Sequence, residues 1–156
     1  MRTVLVLRLA VPAAWFGLIL GLSFIETPLK FTAPGITVPL GLGIGRIVFT
    51  ALAIAGAVLL VALTAVAAMR PRVARGGWVT IGMLWLVLAV QSIAIRPALS
   101  ARSDVVIAGG DPGPSWLHYG YIAADVAILA LLVVWIVTVA RGIRLVAPFD
   151  RTAPSS

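Results

Sequence analysis

The sequence predicts an all-α integral membrane protein, a four-helix bundle with both termini on the cytoplasmic side. Hydrophobic residues make up 62% of the 156-residue chain, charged residues 11%, and mean hydropathy is +1.13. Soluble domains average about 45–50% apolar and about 25% charged residues. Four apolar stretches each approach the roughly 20 residues that a helix needs to cross a bilayer. This composition excludes a soluble enzyme, a disordered chain and a fibrous protein.

The first apolar stretch runs from about Leu9 to Ile25. It continues past any plausible cleavage point for a signal peptide, so we expect an uncleaved first helix. Residues 27–35 contain two prolines and should end this helix in a short loop.

Three further stretches follow, and they lack the alternation of strands. They run over residues 47–68 with a glycine-rich lead-in from Val38, over 78–95, and over 121–140. Residues 70–77 form a basic turn between the second and third apolar stretches. Residues 96–115 form the longest loop, between the third and the fourth. We therefore assign residues 1–145 to a single four-helix transmembrane domain and residues 146–156 to a disordered cytoplasmic tail.

The arginines predict the orientation. One side of the membrane receives eight basic residues: Arg2, Arg8, Arg70, Arg72, Arg75, Arg141, Arg144 and Arg151. The other receives four, together with three acids: Lys30, Arg46, Arg96, Arg102, Glu26, Asp104 and Asp111. Cytoplasmic loops carry the excess of Lys and Arg, which places both termini and the 70–77 turn in the cytoplasm.

Pairs of glycines four residues apart predict where helices approach each other. Gly17 and Gly21 lie on the first helix, and Gly41 and Gly45 lie where the second begins. Small residues at this spacing let backbones pack closely in lipid. A phosphate-binding loop at 41–45 is disfavoured, because no strand precedes it and no Lys-Ser/Thr pair follows it. Trp15, Trp85 and Trp135 are assigned to core or lipid packing.

Polar side chains gather in the outer half of the predicted bundle. Glu26, Arg46, Arg96 and His118 mark helix ends near the outer interface. A second layer about one turn deeper is predicted to contain Ser23, Thr50, Gln91 and Asp125. Polar groups inside lipid are expensive and commonly functional.

Two interpretations of these polar residues stay open: a structural ion-pair network, and a pocket open to the extracytoplasmic side. For Asp125 and Gln91 we favour the pocket. For Glu26 with Arg46 a structural pair is at least as well supported, and for His118 alone an interfacial histidine without special duty is the commoner case. The candidate ligand-binding residues are Asp125, Gln91, His118, Glu26, Arg46 and Arg96.

Several chemistries find little support in the sequence. A single histidine cannot provide a bis-histidine haem, and the only lysine, Lys30, falls in a predicted loop rather than inside a helix. His118 with Asp125 and Glu26 lacks the spacing of a metal site, and no nucleophile–base–acid set is present. We therefore assign no catalytic residue and no metal ligand, and the cofactor stays unknown. The chain contains no cysteine.

Four short motifs resemble a known family. They are Trp15-Phe16-Gly17, the stretch from Ser23 to Phe31 that contains Pro28, Gly45-Arg46-Ile47-Val48-Phe49, and Leu117-His118-Tyr119-Gly120. Their order resembles the small four-helix membrane family that includes the human transmembrane protein associated with cisplatin resistance and bacterial domains of unknown function. The resemblance implies the four-helix topology more than it implies a biochemical activity.

Three functions are compatible with the sequence. The first is a small polytopic protein that binds or transports a small ligand, ion or proton in an extracytoplasmic-facing pocket. The second is an accessory or assembly subunit of a larger membrane complex, and the third is a small membrane enzyme acting on a lipid-like substrate, which we favour least. The lipid bilayer is the expected partner, a membrane-protein partner or homo-oligomer stays open, and nucleic acid is not expected. The arginine-, alanine- and valine-rich composition indicates a bacterial cytoplasmic (inner) membrane.

Overall fold

The computed structural model describes residues 2–146, and within them it contains four long helices and no strands. They are α1 (Arg2–Lys30), α2 (Val38–Ala68), α3 (Arg75–Ile107) and α4 (Leu117–Val146). Each is long and apolar enough to cross a membrane. The all-α four-helix prediction is confirmed. Most of the predicted tail lies outside the described residues.

The helices pack in an up-and-down order. Each one contacts its neighbours in the chain, and α4 returns to contact α1, which closes the bundle. The N-terminal part of α1, the turn between α2 and α3, and the end of α4 therefore share one end, called here the terminal end. The 31–37 and 108–116 connections share the other, called the distal end.

Two of the predicted loop boundaries are wrong. Lys30 is the last residue of α1 rather than part of a loop, and α3 continues through the predicted 96–115 loop as far as Ile107. Gly109 ends α3 with a φ of +84°, a conformation that glycine adopts without steric cost. Apolar residues alone defined the predicted boundaries, so the polar last turns of these helices were missed.

Two helices contain π-helical segments, in which the backbone holds one residue more than a regular turn. Leu20–Glu26 is π-helical within α1, and Gln91–Ile95 is π-helical within α3. A proline follows each segment, Pro28 in the first helix and Pro97 in the second. Proline removes a backbone donor and clashes with the carbonyl four residues earlier, so the preceding turn cannot keep the regular bonding pattern.

Trp15 and Trp135 lie at the centre of the core, and each is 1% exposed. A Cβ added to Gly56 would lie 3.1 Å from Trp15 Nε1, and one added to Gly77 would lie 3.3 Å from the Trp135 ring. Glycine thus lets a helix backbone approach each indole. Trp85, by contrast, is 40% exposed. The prediction of core or lipid packing is consistent with these positions, because Trp15 and Trp135 lie in the core and Trp85 lies on the outer surface of the bundle.

The predicted contact at Gly17 and Gly21 is not formed within the described chain, since a Cβ at either position would meet nothing within 4 Å. The pair at Gly41 and Gly45 does face a neighbour. Added Cβ atoms there would collide with the Phe31 ring and lie 3.0 Å from Lys30 Nζ. Close approach therefore occurs at the distal end of α2, against the end of α1.

Candidate functional site

A pocket of about 440 Å³ opens at the distal end of the bundle, and all four helices contribute to its wall. This volume lies in the range of about 300–1,000 Å³ usual for small-molecule sites. Three of the six candidate residues line it: Arg46 from α2, Arg96 from α3 and His118 from α4. Lys30 at the end of α1 is a fourth basic residue on the wall.

The basic residues of the pocket are only partly neutralised. Lys30 Nζ lies 3.4 Å from Glu26 Oε2, and Arg46 pairs with Asp104. Neither acid lines the pocket, and its described lining contains no other carboxylate. Within the described part of the chain, Arg96 makes no ion pair. The pocket is therefore an electropositive site.

Arg46 and Arg96 are held by short polar contacts across α2 and α3. Arg96 Nη2 donates to Thr50 Oγ1 at 2.9 Å, and Thr50 Oγ1 donates to the Arg46 carbonyl oxygen at 2.7 Å. Arg46 also reaches the carbonyl oxygen of Ser100 at 3.4 Å. Its Nε is buried and has no hydrogen-bond partner among the described residues. This donor is enclosed by the protein, so the Arg46 guanidinium presents only its other nitrogens to its surroundings.

Aromatic rings form the other wall of the pocket. Lys30 Nζ lies 5.6 Å from the centroid of the Phe31 ring and 5.5 Å from that of Phe49. The Phe49 ring in turn packs on Tyr121, with centroids 5.1 Å apart. Tyr121 is only 6% exposed, whereas Tyr119 and Trp116 lie on the surface.

Asp125 and Gln91 form a separate, deeper site. Gln91 Nε2 donates to Asp125 Oδ1 at 2.6 Å, and both residues are buried, at 4% and 2% exposed respectively. Asp125 Oδ2 and the nearby Ser23 Oγ are buried without a partner in hydrogen-bonding geometry among the described residues. Ser23 and Gln91 belong to the two π-helical segments, so both distortions lie beside Asp125.

A void of about 10 Å³ borders Asp125 and Gln91 and is lined otherwise by the core. About 10–15 Å³ is the least that holds one water molecule. Tyr121 lines this void and the large pocket. The single polar cluster predicted from the sequence is thus divided into two sites by one aromatic side chain.

The expected ion pair between Glu26 and Arg46 is not formed. Glu26 pairs with Lys30 four residues later on its own helix, and Arg46 pairs across to Asp104 on α3. The sequence analysis placed Lys30 and Asp104 in loops, because both lie on polar helix ends that the hydropathy pattern omits. The i, i+4 spacing of Glu26 and Lys30 could have revealed the first ion pair. No signal in the sequence indicates the pair between Arg46 and Asp104.

Arg8 forms a polar site at the terminal end that the sequence did not reveal. It is 4% exposed, and its guanidinium donates to the carbonyl oxygens of Val66, Met69 and Pro71 at 3.2, 3.0 and 2.5 Å. Trp135 Nε1 donates to the Arg8 carbonyl oxygen at 2.9 Å. Arg8 therefore caps the end of α2, where the last carbonyls of a helix lack intrahelical partners.

The chemistry available in the distal pocket is the binding of an anion. Guanidinium and ammonium groups supply donors, and Thr50, Ser92 and Ser100 add hydroxyls to the wall. Among the described residues, no group of three or more His, Cys, Asp or Glu side chains is placed to hold a metal ion.

The structure thus defines a helical protein with four membrane-span-like helices and one basic pocket. No family model, curated protein or solved structure matches the chain. The family membership suggested by its short motifs stays a prediction.

Proposed function

We propose that this chain is a small multi-pass protein of a bacterial inner membrane that binds an anionic small molecule in its distal pocket. With the termini in the cytoplasm, as the arginine distribution predicts, this pocket opens to the extracytoplasmic side. Asp125 and Gln91 then belong to the framework beneath the pocket rather than to its lining.

The observation that carries the proposal is the unbalanced charge of the pocket wall. Among the described residues, Arg96 has a hydroxyl partner and no ion-pair partner. An anion in the pocket would supply the missing counter-charge through charge-assisted hydrogen bonds. Arginine's planar fork suits carboxylate and phosphate oxygens, so an oxyanion is the expected ligand.

If the protein were instead an accessory subunit of a larger complex, its polar residues at the distal end would serve a structural role. A purely structural network would pair its charges internally, as Arg46 does with Asp104. Arg96, which makes no ion pair with any described residue, and the open volume beside it favour ligand binding over that role.

Isothermal titration of the purified protein in a neutral maltoside detergent tests the proposal. The probe is dibutyl phosphate, a soluble phosphodiester with one negative charge. Arg96→Gln removes the charge from the pocket and is expected to weaken binding at least about tenfold, which corresponds to about 1.4 kcal/mol.

Arg102→Gln is the matched control. It makes the same change in net charge on the same helix, but Arg102 binds the carbonyl oxygens of Pro112 and Gly113 and does not line the pocket. Equal weakening by the two substitutions would indicate a general charge effect. Binding that is unaffected by Arg96→Gln would refute the proposal.

A further inference from the structure

We infer that the ligand of the distal pocket is a monoanionic amphiphile, an oxyanion head group that carries an apolar chain. This inference rests on the proposed function and specifies its ligand class. The ligand is therefore a membrane lipid rather than a free anion in water.

The pocket wall has two chemically different parts. Lys30, Arg46 and Arg96 supply the charged part. The apolar part is larger than a small oxyanion needs, and it comprises Phe31, Leu42, Phe49, Pro97, Leu99 and Tyr121. Burying apolar surface of a ligand gains about 25 cal/mol per Å². A ligand that uses the whole pocket therefore needs a chain as well as a charge.

The charge balance favours one negative charge on the head group. Three cationic side chains line the pocket, and two of them pair with carboxylates outside the lining, those of Glu26 and Asp104. This leaves the single positive charge of Arg96 without an ion-pair partner among the described residues. A phosphodiester or a carboxylate matches that charge. A diphosphate would bring excess negative charge into a site of low dielectric, where unpaired charge is costly.

With α2 centred in the bilayer, the pocket lies at the boundary between the lipid head groups and the hydrocarbon core. At about 1.5 Å per residue, the 31 residues of α2 extend about 46 Å, whereas the hydrocarbon core is about 30 Å thick. A centred helix then extends about 8 Å beyond the core at each end. Arg46 lies about 12 Å from the start of α2, so it is placed about 4 Å inside the core boundary. Lipid molecules reach this depth without leaving the bilayer.

Gly45 lies beside the Lys30 ammonium group at the pocket wall. A Cβ at Gly45 would lie 3.0 Å from Lys30 Nζ, so alanine would add a methyl group to the wall and shift the end of the lysine side chain by a few tenths of an ångström. Gly43, two residues earlier on α2, has nothing within 4 Å of the same added atom and does not line the pocket. Gly45→Ala and Gly43→Ala are thus matched substitutions, of which only the first disturbs the charged wall.

Three probes in neutral maltoside micelles separate the contributions of charge and chain. Dihexanoyl phosphatidylglycerol carries both. Dihexanoyl phosphatidylcholine carries the same chains without net charge, and inorganic phosphate carries charge without a chain. Microscale thermophoresis is expected to give at least tenfold tighter binding for phosphatidylglycerol than for either other probe. Gly45→Ala, which adds a methyl group to the pocket wall, should weaken that binding more than Gly43→Ala does.

The outcomes distinguish this inference from the proposed function. If inorganic phosphate binds as tightly as phosphatidylglycerol and Arg96→Gln weakens both, the pocket is an anion site and the amphiphile inference is wrong. If phosphatidylcholine equals phosphatidylglycerol, the pocket selects chains only, which also overturns it. If no anion binds in an Arg96-dependent manner, the proposed function itself fails. Unchanged melting temperature and gel-filtration volume in each variant show that it is folded.

Discussion

The buried hydrogen bond between Gln91 and Asp125 offers a quantitative test of the bundle. It joins α3 to α4 at 2.6 Å, and neither residue is more than 4% exposed. Water cannot readily replace a partner that is removed. We therefore expect Gln91→Leu and Asp125→Val each to lower the free energy of unfolding, because each leaves a polar group buried without its partner.

The expected magnitude can be bounded from two sides. An unsatisfied buried polar group costs about 1–3 kcal/mol. Hydrogen bonds between membrane helices average only about 0.6 kcal/mol in double-mutant cycles, with a maximum of about 1.7. The short distance and strong burial of this bond place it near that maximum. We expect a coupling energy of about 1–2 kcal/mol, with the double variant less destabilised than the sum of the single variants.

Unfolding by SDS titration in mixed micelles, followed by circular dichroism, measures all four members of the cycle. Asp125→Asn is the conservative control, since its amide keeps an acceptor for Gln91 and gains a donor for Ser23. We expect this variant within about 0.5 kcal/mol of the parent. Additive effects of Gln91→Leu and Asp125→Val would show that the bond contributes nothing and would refute the argument from burial.

Two further predictions concern the terminal end and the orientation. Arg8→Met should lower the free energy of unfolding by about 2–3 kcal/mol, because it removes hydrogen bonds from a charged donor to the carbonyls that end α2. Arg2→Met, at an exposed position, should change the free energy of unfolding little. Equal effects of the two substitutions in the same SDS titration would contradict the capping role of Arg8. In the cysteine-free chain, Pro114→Cys should react with an impermeant maleimide on intact cells and Ala74→Cys only after permeabilisation; the reverse pattern would invert the assigned topology.

The number and order of helices could be predicted because they depend on long apolar runs. Their ends could not, because Lys30 and residues 96–107 continue their helices through polar sequence. Backbone hydrogen bonding and the connection to the next helix decide those ends, and hydropathy does not report either. The prolines at 28 and 97 carried some of this information, since each follows a distorted turn.

The candidate site was predictable in composition but not in arrangement. All six candidate residues are polar residues near the distal half of apolar helices, which sequence position reveals. Their partners depend on rotation about each helix axis. Tyr121 separates Asp125 from the pocket, and Asp104 replaces Glu26 as the partner of Arg46. Arg8 was assigned to the membrane surface because arginine counting records charge and not burial.

The π-helical segments let α1 and α3 absorb the gain or loss of one residue beside Asp125 without moving the pocket. Each segment holds one residue beyond a regular turn, so losing one residue from Leu20–Glu26 would restore an ordinary helix. Because the π segment accommodates that residue within one turn, the later residues of α1 would keep nearly the same direction relative to the core, with a shift of at most about 1.5 Å. Lys30 would remain at the pocket, and the change would be confined to the turn that contains Ser23 and lies beside Asp125. A single codon deletion in this segment would therefore alter the surroundings of Asp125 and leave the pocket wall in place, so the two sites can change separately in evolution.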